Sequence, residues 1–323
     1  MKILIADDSI VSRHLLEATL RKWGYEVVVA CDGTEALGIL EREDAPALAI
    51  LDWMMPGLTG PEVCKRIRDR RSEPYTYTLL LTSKSQKEDL IEGMEAGADD
   101  YITKPFDQHE LQVRLRAGTR LVDLQAELLA AREALREQAT RDALTHLWNR
   151  RHIFEILDRE LSRAERERCP VGVIIVDLDH FKNVNDTYGH VTGDAVLYEA
   201  ASRMQSGIRQ YDSIGRYGGE EFLILLPGCD ESNCIAQADR LRRLIAERGL
   251  QVHGHVLSLT ASFGATSALP GLSWSSESLI RRADEALYMA KKAGRNRVEL
   301  LPCVEAEAPA AEPQEQPITT NRG

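Results

Sequence analysis

The chain has 323 residues, of which 43% are hydrophobic and 28% charged, and its formal net charge is −11. The length suits two domains and the composition suits soluble globular packing, while the negative charge argues against non-specific binding to nucleic acid or acidic membranes. No apolar run approaches a membrane span, and the opening MKILIADDS lacks the apolar stretch of a secretory leader, so a cytoplasmic protein with no membrane partner is expected.

From residue 2 to about 120, apolar runs alternate with amphipathic helical patterns. KILIA (2–6), EVVVA (26–30), LAIL (48–51), TLLLT (78–82) and DYIT (100–103) read as strands, with stretches such as SRHLLEATLRKW and EVCKRIRDR between them. Five such repeats predict a doubly wound parallel sheet, whose functional residues sit just past the carboxyl ends of the strands. Those positions hold Asp7 and Asp8, Asp52, Thr82 and Lys104. Three carboxylates brought together raise one another's pKa values. A divalent cation with oxygen ligands removes that penalty, and Mg²⁺ suits such a site. Thr82 and Lys104 then look like partners for a phosphoryl group. Helix N-capping explains Asp7 or Asp8 alone, but not this set of residues on four separate strand ends.

With ADDS, LDWMMPGLTG, LLLTSK and DDYITKPF in place, residues 1 to about 120 resemble a response-regulator receiver domain, a flavodoxin-like α/β fold. The resemblance implies that Asp52 accepts a phosphoryl group from a cognate histidine kinase. It implies that Asp8, Asp52 and the carbonyl of Met54 hold Mg²⁺ with Asp7 in support, and that Thr82 and Lys104 bind the phosphoryl oxygens. Tyr101 takes the place of the switch aromatic. Pro61 departs from the pattern, where an acidic residue often follows the glycine, and leaves the site untouched.

Beyond Phe106 the pattern becomes one long helix, a linker expected over 107–140. Leu121, Leu124, Leu128, Ala131 and Leu135 follow a heptad seam, which Val122 and Leu129 widen. LQAELLAAREALREQA has neither Gly nor Pro. Exposed leucines along an isolated helix favour a paired helix, and so a homodimer. A new domain opens at Asp142–Ala143–Leu144–Thr145 and is expected to run over 141–301.

In this half, Val171 to Val176 reads as a buried strand ending in Asp177, Leu178 and Asp179. SIGRYGG and EFLILLP read as a β-hairpin around Gly218, Gly219, Glu220 and Glu221. If the first strand lies beside that hairpin, Asp177 meets Glu220 and Glu221. Hard oxygen donors of this kind call for Mg²⁺ or Mn²⁺ rather than zinc. Gly218 and Gly219 would let a triphosphate approach the backbone. Asn185 and Asp194 can read a guanine, Lys182 can offset charge developing on a phosphate, and Lys291 and Arg295 can bind outer phosphates. Taken singly, Asn185 is better explained as a turn residue, Asp194 as a helix cap and Lys291 as a solvated helix face; taken together with a metal site, they are not.

DALTHLWNRR, DLDHFKNVNDTYGHVTGD, RYGGEEF, SFG at 262–264 and ALYMAKKAGRNRV together make residues 140–301 resemble a GGDEF domain, the diguanylate cyclase family. The resemblance implies an α+β cyclase or polymerase-palm fold with a mostly antiparallel sheet. It implies condensation of two GTP molecules, one on each of two facing domains, to cyclic di-GMP and pyrophosphate. Asp177, the carbonyl of Leu178 and Glu220 would bind Mg²⁺, with Glu221 as a further ligand and Glu220 as general base. Asn185 and Asp194 would recognise guanine, Lys182 would stabilise the pentacovalent phosphate, and His190 would lie close to the substrate. His146 stands where the motif that opens the domain usually has glycine. RQYD places Arg209 and Asp212 as the family's RxxD product-inhibition site, with Arg240 as a secondary contributor. A cyclic di-GMP receptor would show a spoiled signature, and Asp177, Lys182, Glu220 and Glu221 are intact. A transcription factor would need a basic helix-turn-helix domain, which the second half lacks.

The six cysteines (31, 64, 169, 229, 234 and 303) show no CxxC pairing, and Cys229 and Cys234 are too widely spaced for a zinc knuckle. They read as buried or inert thiols. The proline-bearing tail, 302–323, has almost no large apolar residues and is expected to be disordered.

Overall fold

The apolar runs of the first half become five parallel strands in the computed structural model, which describes residues 1–70, 75–83, 87–247, 249–252, 255–271 and 274–302. Apart from Pro302, the expected disordered tail lies outside the described residues. In order come β1 (Lys2–Ala6), α1 (Ile10–Lys22), β2 (Glu26–Ala30), α2 (Gly33–Leu40), β3 (Leu48–Asp52), α3 (Gly60–Asp69), β4 (Tyr77–Thr82), α4 (Lys87–Glu95), β5 (Asp100–Thr103) and the 33-residue α5 (Gln108–Thr140). The strand order β2-β1-β3-β4-β5 is that of a flavodoxin-like sheet. Alternate residues of β1 feed two cores. Ile3 and Ile5 pack with Leu16, Leu111 and Leu115, while Leu4 and Ala6 pack with Ala36 and Val63. Each such buried Leu or Ile contributes roughly 1.5–3 kcal/mol, which makes a sheet covered on both faces the stable outcome of a continuous apolar run. Order reverses between β1 and β3, so the crevice lies where Asp7, Asp8 and Asp52 emerge.

The chain divides into two compact units, the first Met1–Leu135 and the second beginning at Arg136. Within the first, Leu111 and Leu115 of α5 are buried, whereas Leu121, Leu124, Leu128 and Leu135 are exposed. Val122 corrects the expected seam: it is half-buried against the core of the first unit rather than widening the leucine stripe.

The second unit contains α6 (Arg150–Glu167), β6 (Val171–Leu178), α7 (Phe181–Tyr188), α8 (His190–Ser206), β7 (Ser213–Arg216), β8 (Glu221–Pro227), α9 (Glu231–Ala246), β9 (Leu250–Val252), β10 (His255–Leu257), β11 (Ala261–Ala268), α10 (Ser276–Lys292) and β12 (Val298–Leu300). Its main sheet runs β12-β11-β6-β8-β7 and is antiparallel except between β11 and β12. The central β6 is buried along its whole length. Val173 and Ile175 pack against α6 and α10, and Ile174 and Val176 against α8 and α9. The fold is therefore a doubly wound α/β unit, a long helix, and an α+β unit with a mostly antiparallel sheet.

Candidate functional site

In the first unit the sheet delivers Asp7, Asp8 and Asp52 to one place. Their carboxylate oxygens lie within 4.8 Å of one another, the single such acidic group among the described residues. Ser9 is the N-cap of α1, so capping does not account for Asp7. Instead Asp7 is fully buried and accepts from the Ser9 N–H at 2.8 Å and the Ser12 hydroxyl at 2.6 Å. Lys104 bridges the cluster, its Nζ 2.9 Å from Asp7 Oδ2 and 2.7 Å from Asp52 Oδ1. Burial pushes the Asp52 carboxyl above its ordinary range, Lys104 opposes this, and Asp7 and Asp8 add to it. Burial also raises Asp7, but bonds from Lys104, Ser12 and Ser9 outweigh it and hold that carboxyl low. Thr82 is buried at the end of β4, and Met54 is exposed after β3. Tyr101 is half-buried, with the Arg114 guanidinium 5.9 Å from its ring centre. An all-oxygen donor set with its charge only partly neutralised fits a hard divalent cation.

In the second unit β6 lies against the hairpin, with Asp177 opposite Glu221. The Leu178 N–H donates to the Glu220 carbonyl at 3.3 Å. Neither Gly218 nor Gly219 has positive φ, and the tip closes through Tyr217 N–H to Glu221 O at 2.8 Å. A Cβ on Gly218 would come within 2.5 Å of Glu221 Oε2, whereas Gly219 faces open space. The space a Cβ would take at Gly218 thus holds the end of the Glu221 side chain, while that at Gly219 is open.

Lys291, in the last turn of α10, sits on Asp177 with Nζ 2.7 Å from Oδ2. It is therefore not a solvated helix face. Burial raises the Asp177 carboxyl, Lys291 pulls it down, Asp179 pushes it up and Arg295 pulls it down. Burial raises Glu220 and Glu221 as well, and the Asp177 charge adds to both. Among the described residues these three carboxylates do not gather as closely as the first unit's do. Their donor type and raised pKa values still fit a hard cation.

Asn185 lies within α7, not in a turn, and Asp194 lies within α8, whose N-cap is Gly189. A Cβ on Gly193 would fall 1.9 Å from Asn185 Oδ1, so glycine is what lets the Asn185 amide lie on α8 at the position before Asp194. Asp194 borders a 390 Å³ cavity with Leu144, Tyr198 and Val252. Lys182 and His190 are exposed.

Arg209 and Asp212 form a turn, Arg209 N–H donating to Asp212 Oδ2 at 2.8 Å. They line a 180 Å³ pocket with Asn233, Gln237 and Arg240. Gln237 and Arg240 both donate to the Gly207 carbonyl. Burial raises Asp212, and Arg209 and Arg240 draw it back.

Two features escaped the sequence reading. Arg216 donates to both carboxylate oxygens of Asp142, at 3.2 and 3.3 Å, and to the Gly219 carbonyl at 2.8 Å, tying the start of the unit to the hairpin tip. Asp179 is buried and fully engaged by hydrogen bonds. Its spacing from Asp177 was visible, but its partners lie 81 to 117 residues away.

Comparison with known proteins agrees with this division. Residues 3–116 match the response regulator receiver domain family and residues 139–297 the diguanylate cyclase, GGDEF domain family. Response regulator PleD of Caulobacter vibrioides is 28% identical, over 92% of this chain and 98% of its own. Diguanylate cyclase A of Treponema denticola is 31% identical, over 80% of this chain and 69% of its own. The crystal structure of the coiled coil and GGDEF domain of DgcB from Caulobacter crescentus, in complex with c-di-GMP, is 34% identical with a TM-score of 0.53. It covers 59% of this chain and 99% of its own. Among the described residues no helix is long and apolar enough to cross a membrane.

Proposed function

The chain belongs to the GGDEF diguanylate cyclase family, as a response regulator with a receiver domain ahead of the cyclase domain, and we propose that it makes cyclic di-GMP from GTP under control of Asp52 phosphorylation. The observation that carries the catalytic reading is the register of Asp177 opposite Glu221, with Lys291 on Asp177 at 2.7 Å. It joins acidic and basic groups suited to a metal-bound triphosphate. Asp177, Glu220, Glu221 and the Leu178 carbonyl would hold Mg²⁺, which when bound supplies positive charge to the phosphates and acidifies the attacking hydroxyl. Glu220, its pKa raised by burial and by Asp177, is suited to take the proton of the 3′-hydroxyl. That oxygen bonds to the α-phosphorus of the second GTP while the bond to pyrophosphate breaks. Lys182, Lys291 and Arg295 offset phosphate charge. Asn185 and Asp194 meet the guanine edge, and His190 lies beside the substrate. Two chains must face each other, because one domain presents one GTP.

In the receiver domain, Asp8, Asp52 and the Met54 carbonyl would hold a second Mg²⁺, supported by Asp7. A phosphoryl group on Asp52 would meet Lys104, already 2.7 Å away, and Thr82. Its donor is a cognate histidine kinase. The Arg209–Asp212 pocket with Arg240 suits a guanine or phosphate of the product and supports feedback inhibition.

The test is nucleotide analysis after purified protein is incubated with GTP and Mg²⁺. Cyclic di-GMP and pyrophosphate should form, and Glu220→Gln should lose several orders of magnitude in turnover while staying folded. Near-normal turnover in Glu220→Gln would remove the site assignment. A rate unchanged by excess product in nucleotide-free protein would remove the feedback reading.

A further inference from the structure

Two carboxylates near the end of β6, Asp177 and Asp179, grip the end of α10 at two points. Asp177 takes the Lys291 ammonium. Asp179 takes a backbone N–H five residues on, that of Asn296, at 3.0 Å. Between those points the backbone makes an unusual excursion. Gly294, Arg295 and Asn296 have φ of 112°, 63° and 45°. The Arg295 N–H donates to the Ala290 carbonyl at 3.1 Å, the closing bond of a Schellman helix end with Gly294 in the left-handed position. Glycine accepts that conformation freely and asparagine tolerates it, but arginine does so only under constraint.

Asp179 supplies a constraint. It is 5% exposed. Its Oδ1 accepts from the Ser262 hydroxyl at 2.7 Å, and its Oδ2 from the Thr260 hydroxyl at 2.7 Å and from Asn296. A buried carboxylate with this many donors is fixed in place. The next residue is tied too, Phe263 N–H donating to the Arg297 carbonyl at 2.9 Å. On the exposed side Arg242 donates to Asn296 Oδ1 at 3.0 Å.

We propose that Asp179 is a positioning residue for the substrate triphosphate: its buried carboxylate holds the left-handed turn that aims Arg295. The inference rests on the reading of Arg295 as a phosphate-binding residue. Asp179 reaches Arg295 through the backbone at Asn296, and since its charge also bears on Asp177, Asp179→Asn, which removes the charge and keeps the acceptor, separates the two effects. The tether is also independent of Lys291. If Asp177 is engaged by other partners during turnover and Lys291 leaves it, Asp179 still holds the turn.

The test is a double-mutant cycle on the full-length, product-free protein. KM for GTP, kcat and affinity for a non-reactive GTP analogue are measured for Asp179→Ala, Asp179→Asn, Arg295→Ala and Asp179→Ala with Arg295→Ala. Asp179→Ala should raise KM and weaken analogue binding about tenfold, as expected for a charge-assisted phosphate contact, while kcat changes far less. Asp179→Asn keeps an oxygen for Thr260 and Asn296 and should restore KM to near the wild-type value. With Arg295 already removed, Asp179→Ala should add almost nothing.

Wild-type KM in Arg295→Ala would remove the phosphate reading and the inference with it. Impaired Arg295→Ala with a fully additive effect of Asp179→Ala, or no rescue by Asp179→Asn, would overturn the inference alone. Should Asp179→Ala not fold, Thr260→Val and Ser262→Ala each remove one donor and take its place in the cycle under the same criteria.

Discussion

Asp52 closes β3 and Asp177 is the last but one residue of β6, in two unrelated sheets, yet their surroundings are alike. Each carboxyl is raised chiefly by burial, and each is met by a lysine ammonium at 2.7 Å. A half-buried carboxylate needs such a partner, and one on a flexible four-carbon stem can be exchanged for another. Asp142 shows the opposite balance. Burial raises its carboxyl, but the Thr145 N–H and hydroxyl and the Arg216 guanidinium outweigh it, so the net shift is downward. The unfolded chain then binds more protons than the folded one between the two pKa values. The stabilisation is present above the ordinary carboxylate range and is lost as pH falls through the depressed folded value. Asp142→Asn should therefore lower Tm at pH 7 by about 2–6 °C, the scale of one or two charge-assisted hydrogen bonds. The gap from wild type should narrow as the buffer is taken through that acid window. Melting curves at pH 7 that coincide would show that the charge on Asp142 does not contribute.

At the scale of elements, α5 is the least self-sufficient. Its first turns are anchored by buried Leu111 and Leu115, while Leu121, Leu124, Leu128 and Leu135 stand 41%, 58%, 69% and 65% exposed. Such a stripe fits a facing helix. Leu124→Glu with Leu128→Glu should shift the protein toward monomer by light scattering and cut turnover per chain at least tenfold, with helix content kept. A double variant that keeps wild-type mass and turnover would show that the seam pairs nothing. The same elements show what sequence can reveal. Runs such as KILIA and VGVIIV must be strands covered on both faces, and a Gly-Gly pair before EFLILLP must turn a hairpin, because those patterns are local. The pairing of β6 with that hairpin could be posed only as a condition. Lys291 could be given phosphates as reasonably as Asp177, since 114 residues separate it from that carboxylate in the chain. Val122 sat in the heptad pattern by spacing alone, and packing turned it to the core of the first unit. Asp179 was in view beside Asp177, but nothing local announces that Thr260, Ser262 and Asn296 converge on it.

For the whole molecule, the question is how a charge at Asp52 can matter to Glu220. Along the chain the two units share helix α5, and the contacts that follow it lie within the second unit. Helix α5 begins against the receiver core and runs unbroken to Thr140, whose carbonyl accepts from Asn149 N–H at 2.8 Å. Two residues later Asp142 holds Arg216, and Arg216 holds the Gly219 carbonyl next to Glu220. A path is not yet coupling, because phosphorylation can move an equilibrium only as far as it favours one arrangement over another. A phosphoryl group on Asp52 would add charge where Lys104 and Thr82 could answer it, and Tyr101, half-buried beside Arg114, lies on the strand that leads to α5. A tenfold rise in the productive dimer needs a differential of only about 1.4 kcal/mol. Turnover and solution mass should be measured for wild type and Asp52→Asn, each with and without beryllofluoride as phosphoryl mimic. Wild type should speed up at least several-fold, with altered mass or dimer shape, and Asp52→Asn should stay unchanged. Arg216→Ala should keep the beryllofluoride-induced change in assembly yet lose most of the gain in turnover, because it breaks the path after the helix. If Asp52→Asn responds as wild type does, or if wild type is modified at Asp52 with no change in rate, the receiver does not control the cyclase in the way proposed.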